Sequence, residues 1–264
     1  MSEKTVTVKS EVKSLAIVVI IAMFIRTFVF ELFYVPTPSM QASILVGDYI
    51  FSTKYNYGYS IYSIPFNPDI FVGRIFANMP EIGDVVIMRP PHMMHERYVK
   101  RLIALPGDKI QIIDDLIYLN DKPIKRIEVG EFIDDNGIIF RKFRETLPNG
   151  SSYFVYKLKT PLGRYSHELS NFGPHTVEAD RYFFLGDNRD NSGDSRYQLS
   201  TVPFKNLIAK GQFVFFSIVT PLWDAKETII GQIKRVGAWA TSLRFNRFFT
   251  SLYEPNELIL EDGK

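Results

Sequence analysis

The chain has 264 residues, 31 Lys and Arg against 29 Asp and Glu, and no cysteine. A net charge of +2 lacks the basic excess of a general nucleic-acid binder. Without thiols there is no disulfide framework, no cysteine nucleophile and no thiolate metal ligation. The length fits one or two domains. Residues 1–14 form a tail carrying Lys4, Lys9 and Lys13. Leu15–Ile25 then contains no charge, and with Arg26 and Glu31 as its only charges the apolar stretch extends over 15–34. About 20 residues at 1.5 Å rise cross a bilayer as a helix. A cleaved signal peptide would end in a small-x-small site, whereas this stretch ends in Arg26 and the bulky Phe28, Phe30, Phe33 and Tyr34. The aromatics fit an interfacial belt, and the lysines place the N-terminus on the cytoplasmic side. The expectation is an uncleaved transmembrane anchor over 15–34; a buried soluble helix is the competing reading.

Pro36 and Pro38 end any helix. Beyond them the pattern is that of short strands bounded by Gly, Pro and Asp. Asp48–Phe51, Asp84–Met88 and Tyr98–Ile103 are three such runs. Lys109–Ile113 and Leu116–Leu119 flank Asp114-Asp115 as a hairpin, and Arg181–Leu185 and Gln212–Ile218 add two more strands. Few segments repeat every 3.6 residues. Residues 35–253 are therefore expected to form a mostly-β, all-β domain, with about 120–180 as an inserted β lobe. Tyr55–Met79 reads as a long loop whose aromatics could dip into a bilayer surface, line a groove or simply pack. Val236–Tyr253 reads as an amphipathic or packed terminal helix, and 254–264 as an acidic tail.

Several apparent motifs fail on context. Ser10-Glu11-Val12-Lys13 matches S-x-x-K but precedes the anchor with no core around it. His92 and His95 lack a zincin glutamate, and His167 and His175 lack partners in sequence. Asn188-x-Asp190-x-Ser192-Gly193 would need a bidentate Glu where Leu199 stands. Three stretches remain: Pro36-Thr37-Pro38-Ser39-Met40, Tyr98-Val99-Lys100-Arg101 leading to Pro106-Gly107-Asp108, and Gly186-Asp187-Asn188-Arg189-Asp190-Asn191-Ser192-Gly193-Asp194-Ser195-Arg196. Alone, each has an ordinary explanation as a helix cap, a solvated strand residue or a tight acidic turn.

Together, and in this order after an apolar anchor, they resemble the bacterial type I signal peptidases. The resemblance runs from about residue 15 to about 220. It implies a membrane-bound serine endopeptidase that cleaves signal peptides from exported preproteins, without metal or cofactor. By the resemblance, Ser39 is the nucleophile and Lys100 the general base. Thr37 and the Ser39 backbone N–H hold the oxyanion. Ser192 hydrogen-bonds the lysine, Asp194 and Arg196 form an ion pair, and Arg101 and Asp187 help hold the loops. Expected partners are signal-peptide-bearing preproteins and membrane lipid, with no nucleic acid. The expected location is the bacterial cytoplasmic membrane, single-pass, with the catalytic domain on the outer face.

The chemistry makes its own demand. A serine hydroxyl is a weak nucleophile until a base takes its proton. A lysine can be that base only when neutral, and its ordinary pKa of about 10.4 must fall through desolvation. Ile44, Val86 and Ile103 are expected to line shallow pockets for small side chains. One departure from the family pattern is Gln41-Ala42-Ser43, where a proline and a threonine usually follow S-M. The rival readings are a self-cleaving repressor-type Ser/Lys protease, which would need a DNA-binding domain, and a membrane-anchored non-enzymatic β domain that binds exported proteins.

Overall fold

The first helix follows from composition. α1 spans Val8–Phe28, so its first turns take in residues expected in the polar tail. Its apolar side chains from Val12 to Phe24 are largely exposed, with Leu15 and Ile20 each at 65%. Glu11, Lys13 and Arg26 punctuate both ends of the helix. The uncharged core between them spans only about 16 Å, against a hydrocarbon thickness of about 30 Å. No helix among the described residues is long and apolar enough to cross a membrane.

The helix expected through Tyr34 stops at Phe28. In this computed structural model, which describes residues 8–134, 136–160, 169–219 and 241–253, Phe30–Tyr34 is strand β1. It pairs antiparallel with β2, Asp48–Thr53. An apolar run carries no period that separates helix from strand. Here the β2 ladder decides, together with cross-strand aromatic packing of Phe30 on Phe51 (4.7 Å) and Tyr34 on Tyr49 (5.1 Å).

The remaining strands are β3 (Val85–Met88), β4 (Tyr98–Ala104), β5 (Lys109–Ile113), β6 (Leu116–Leu119), β7 (Lys122–Pro123), β8 (Lys125–Ile133) and β9 (Ile139–Thr146). After them come β10 (Ser152–Leu158), β11 (Phe172–Thr176), β12 (Arg181–Leu185), β13 (Val202–Pro203), β14 (Leu207–Ser217) and β15 (Thr250–Ser251). The main sheet runs β1-β2-β14-β3-β4-β12-β13, with β15 pairing β14. A second sheet is β10-β9-β8 and a third is β11-β5-β6-β7. The mostly-β expectation holds. The stretch 120–180 is not one sheet unit, because β7 and β11 join the β5–β6 hairpin. The reason is register: Phe172 pairs with Ile112 and Leu119 with Lys122. The hairpin turn places Asp114 and Asp115 both in left-handed backbone (φ 45° and 70°), as a type I′ turn requires.

Strand β4 touches three cores. Val99 packs with Phe33, Met40 and Ile44; Leu102 with Val86 and Phe184; Ile103 with Phe143 and Val155. Each fully buried aliphatic side chain contributes roughly 1.5–3 kcal/mol, so β4 is held from both faces. Of the stretch expected as a terminal helix, 236–240 lie outside the described residues, as does the tail 254–264. Phe245–Arg247 is a single 3₁₀ turn. Its Arg247 is buried on Asp48, Nη2 to Oδ2 at 2.5 Å and Nε to Oδ1 at 3.1 Å.

Candidate active site

The segment after β1 is shaped by its prolines. Thr37 is extended (φ −128°, ψ 151°), and Pro38 opens a 3₁₀ turn, Pro38–Met40. Proline suits such a first position because its φ is preset and its missing N–H is not needed. Backbone bonds from Gln41 to Pro38 (3.0 Å) and from Ile44 to Met40 (2.7 Å) close the turn. Met40 and Ile44 anchor it in the core. Ser39 lies between these anchors.

Lys100 sits in mid-β4, opposite Val86 of β3. It is only 4% exposed. Its Nζ donates to Ser39 Oγ at 2.6 Å and lies 5.3 Å from the Tyr98 ring centre. Among the described residues no carboxylate touches it directly. Burial pushes its pKa from 10.5 down to about 8; the Asp194 and Asp187 charges pull it up and Arg196 pulls it down. A Ser Oγ beside an amine that is neutral in a fraction of molecules at neutral pH is a nucleophile–base pair.

An open groove of about 350 Å³ runs over this pair. Its apolar lining is Phe33, Val35, Met40, Tyr98 and Val99, and Thr37, Ser39, Lys100, Glu96 and Arg97 contribute polar groups to it. Ile44, Val86 and Ile103, expected to line pockets, are instead fully buried in three separate cores. Ile103 is on the face of β4 opposite Lys100, whereas Val86 shares the Lys100 face as its cross-strand partner but is packed against Leu102 and Phe184 in the core. Thr37 lines the groove, and its side chain makes no capping bond.

The loop after β12 holds the pair from behind. Asp187 and Arg101 are both 1% exposed and pair bidentately, Nε to Oδ1 at 3.0 Å and Nη2 to Oδ2 at 2.7 Å. Ser43, from the segment that departs from the family pattern, donates its hydroxyl to Asp187 at 2.6 Å. Asp194 accepts from Arg196 Nε at 2.9 Å and Nη2 at 2.8 Å, and from the Gly186 N–H at 3.0 Å. Burial alone would raise the Asp194 carboxyl; the Arg196 charge and hydrogen bonds hold it below its usual value. The Asn188 N–H donates to the Ser39 carbonyl at 3.1 Å. Gly186 lies where these strands of chain meet: a Cβ there would sit 2.5 Å from the Ser39 carbonyl and 2.2 Å from Ser192 Oγ. The expected bond from Ser192 to the lysine is not formed. Ser192 Oγ is buried with no hydrogen-bond partner among the described residues.

The chain matches the family model described as "Signal peptidase, peptidase S26" over residues 8–216. The chain belongs to the signal peptidase family, peptidase S26. Among relatives, a signal peptidase I of Rickettsia prowazekii is 54% identical over 254 residues, covering 95% of this chain and 96% of that one. One of Rickettsia bellii is 51% identical over 255 residues, covering 96% and 88%. A crystal structure of a signal peptidase I from Enterococcus faecalis aligns at 23% identity and TM-score 0.30, covering 50% of this chain and 97% of that chain. As an S26 peptidase the protein is a serine endopeptidase.

This signal peptidase family member also buries charges that sequence reasoning passed over. Arg189 pairs with Glu145 of β9, Nη1 to Oε1 at 2.7 Å, and Tyr153 donates to the same carboxylate at 3.0 Å. Lys157 of β10 bridges Asp190 and Asp115, each at 2.6 Å. Tyr156 of β10 bonds through its backbone to Asp187 and Arg189, at 2.8 and 2.9 Å. The β8–β10 sheet therefore braces the 186–196 loop. The available signal was a charge at an inward position of an apolar alternation, as at Glu145 and Lys157. Among the decoys, His95 lies in an exposed loop and His175 sits 3.6 Å from Glu178, while His167 lies outside the described residues. Among the described residues no group of His and carboxylates is arranged to hold a metal.

Proposed function

We propose that this peptidase cleaves signal peptides from exported preproteins after small-x-small sites, with Ser39 as nucleophile and Lys100 as general base. The observation that carries the reading is the 2.6 Å contact of Ser39 Oγ with a buried amine that no carboxylate among the described residues touches. Neutral Lys100 accepts the Ser39 proton as Oγ attacks the scissile carbonyl carbon. The resulting oxyanion is received by the Ser39 N–H and the Thr37 hydroxyl. Preorganised donors of this kind stabilise charge that develops only in the transition state. The lysine then returns the proton to the leaving amine, and the acyl-enzyme ester is hydrolysed by a water that Lys100 deprotonates. Asp194, Arg196, Arg101, Asp187 and Ser192 act through the dyad, holding its position and setting the charge around the amine.

The shallow groove between Phe33, Val35 and Met40 fits small side chains. α1 attaches the protein to the bacterial cytoplasmic membrane as a single crossing, N-terminus cytoplasmic and groove on the outer face, with its short uncharged centre accommodated by local bilayer thinning and by snorkelling of the flanking Lys13 and Arg26. Its exposed apolar residues and the lysines before them support that topology, and Arg26 can reach an interface by its length. The full chain, reconstituted in vesicles, is given a preprotein with an A-x-A site. Cleavage should disappear in Ser39→Ala and in Lys100→Ala. Survival of cleavage in either variant defeats the dyad. Protection of the N-terminal lysines from protease added to cells, with the groove domain digested, checks the topology.

A further inference from the structure

The three motifs end at Arg196, yet residues 243–253 come back to the underside of the site. Leu243 bridges Ile218 just past β14, and the 3₁₀ turn Phe245–Arg247 follows. The Phe249 N–H then donates to the Val214 carbonyl at 2.7 Å, and β15 pairs with β14. Leu252 ends this strap in the core that also holds Met40, Ile44 and Val99. It thus shares a core with the residue after Ser39 and the residue before Lys100.

Polar contacts bind the strap to both partners of the dyad. Arg247 is 3% exposed, and its Nη2 donates to the Ser43 carbonyl at 3.2 Å as well as to Asp48. Asp48 is fully buried and also accepts from the Ser217 hydroxyl at 2.6 Å and the Leu45 N–H at 2.8 Å. That carboxylate fixes the guanidinium, and the guanidinium fixes Ser43. Ser43 belongs to the turn that carries Ser39: its N–H donates to the Met40 carbonyl at 2.9 Å, and its hydroxyl donates to Asp187. On the strand side, Arg101 Nη2 lies 3.5 Å from the Leu252 carbonyl. The Tyr253 hydroxyl accepts from the N–H of Val85, the β3 residue opposite Arg101, at 3.3 Å. One short segment therefore grips the turn that bears Ser39 and the strand that bears Lys100.

We infer that residues 243–253 form a strap that sets the spacing of Ser39 and Lys100, with Arg247 as a positioning residue for the peptidase reaction. This inference rests on the reading of Ser39 and Lys100 as the dyad. The full chain in detergent is given a short soluble peptide with an A-x-A site, and kcat and KM are measured separately. Circular dichroism at the assay temperature identifies the variants that are folded. Arg247→Met removes the grip on Asp48 and Ser43 together. It should lower kcat tenfold or more and leave KM within about twofold, since misplacement on the scale of 1 Å costs about 10²-fold. Arg247→Lys keeps a charge for Asp48 but not the fork that serves Asp48 and Ser43 at once. It should lower kcat a few-fold, and it carries the test if Arg247→Met does not fold. Ile117→Val, in the third sheet and fully buried, should lower Tm and leave kcat unchanged. Parental kcat in either folded Arg247 variant overturns the inference, with or without a rise in KM. An equal loss of kcat in Ile117→Val also overturns it, because general loosening would then account for the effect. Ser39→Ala in the same assay separates the two readings. Cleavage that survives it sinks the dyad and the strap together, whereas loss of cleavage there beside parental Arg247 variants sinks the strap alone.

Discussion

Lys100 and Arg101 are neighbours on one strand, both buried, and they have opposite chemistry. Arg101 faces Asp187, whose charge and two hydrogen bonds outweigh the burial that would lower its pKa and raise it instead. Lys100 faces the groove and Ser39, meets its carboxylates only at a distance, and falls to about 8. Strand alternation puts successive side chains on opposite faces, so a single residue step separates a permanent structural cation from a titratable base. Burial alone does not suit a lysine to the proposed role of base; the lack of a direct carboxylate contact among the described residues does.

Exchanging the two cations tests this most severely. Lys100→Arg puts a guanidinium that cannot deprotonate in the base position, so kcat should fall about 10³-fold or more. Arg101→Lys keeps the charge but loses the bidentate fork, and should leave kcat within a few-fold while lowering Tm. A Lys100→Arg enzyme with substantial activity would erase the distinction between the faces. Next in size is Thr37→Val. Losing one oxyanion donor costs about 10²–10³ in kcat, and Tm should not change, since Thr37 is exposed and makes no cap bond. Arg101→Met leaves Asp187 buried without its partner, a loss of about 3–5 kcal/mol that denaturant unfolding would measure.

The smallest expected effect is in the pH profile. The base is active when neutral, so kcat/KM should rise with pH and level off above about 8. At one unit below the pKa, about a tenth of the lysines are neutral. Asp194 is the largest of the charges that raise this pKa. Asp194→Asn should therefore move the rising limb to lower pH, and a shift to higher pH would show that the charge ranking around Lys100 is wrong.

Ser39, Thr37 and Lys100 were legible as candidates because their motifs join turn residues to a hydroxyl and an amine at recognisable positions. Nothing in the sequence says that the Lys100 face is buried, since that depends on β3, β12 and the 186–196 loop folding over it. The β1 segment was misread because apolar runs do not distinguish helix from strand until a pairing partner is known. Arg26 and Glu31 are five residues apart, a spacing that does not stack side chains on one face of a continuous helix. Across the break between α1 and β1 they meet at 3.1 Å, and Glu31 also takes Arg97 at 2.7 Å and Lys54 at 3.0 Å. Burial alone would raise the Glu31 carboxyl, but the Lys54 and Arg97 charges bring it down to about 2. The pocket residues were missed because nearness in sequence to a motif does not tell whether a side chain reaches the groove or, like Ile44, Val86 and Ile103, is packed in the core beneath it.

The close approach at Gly186 has a consequence for tolerance to change. One methyl group at that position would press on a backbone carbonyl of the nucleophile turn, which has no rotamer to escape into. A survey of variants scored by abundance would mark position 186 as a folding residue. The same survey scored by turnover would mark it as part of the active site. Both marks would be correct, because the two halves of the site are assembled at van der Waals distance there and nowhere in between is left for a side chain.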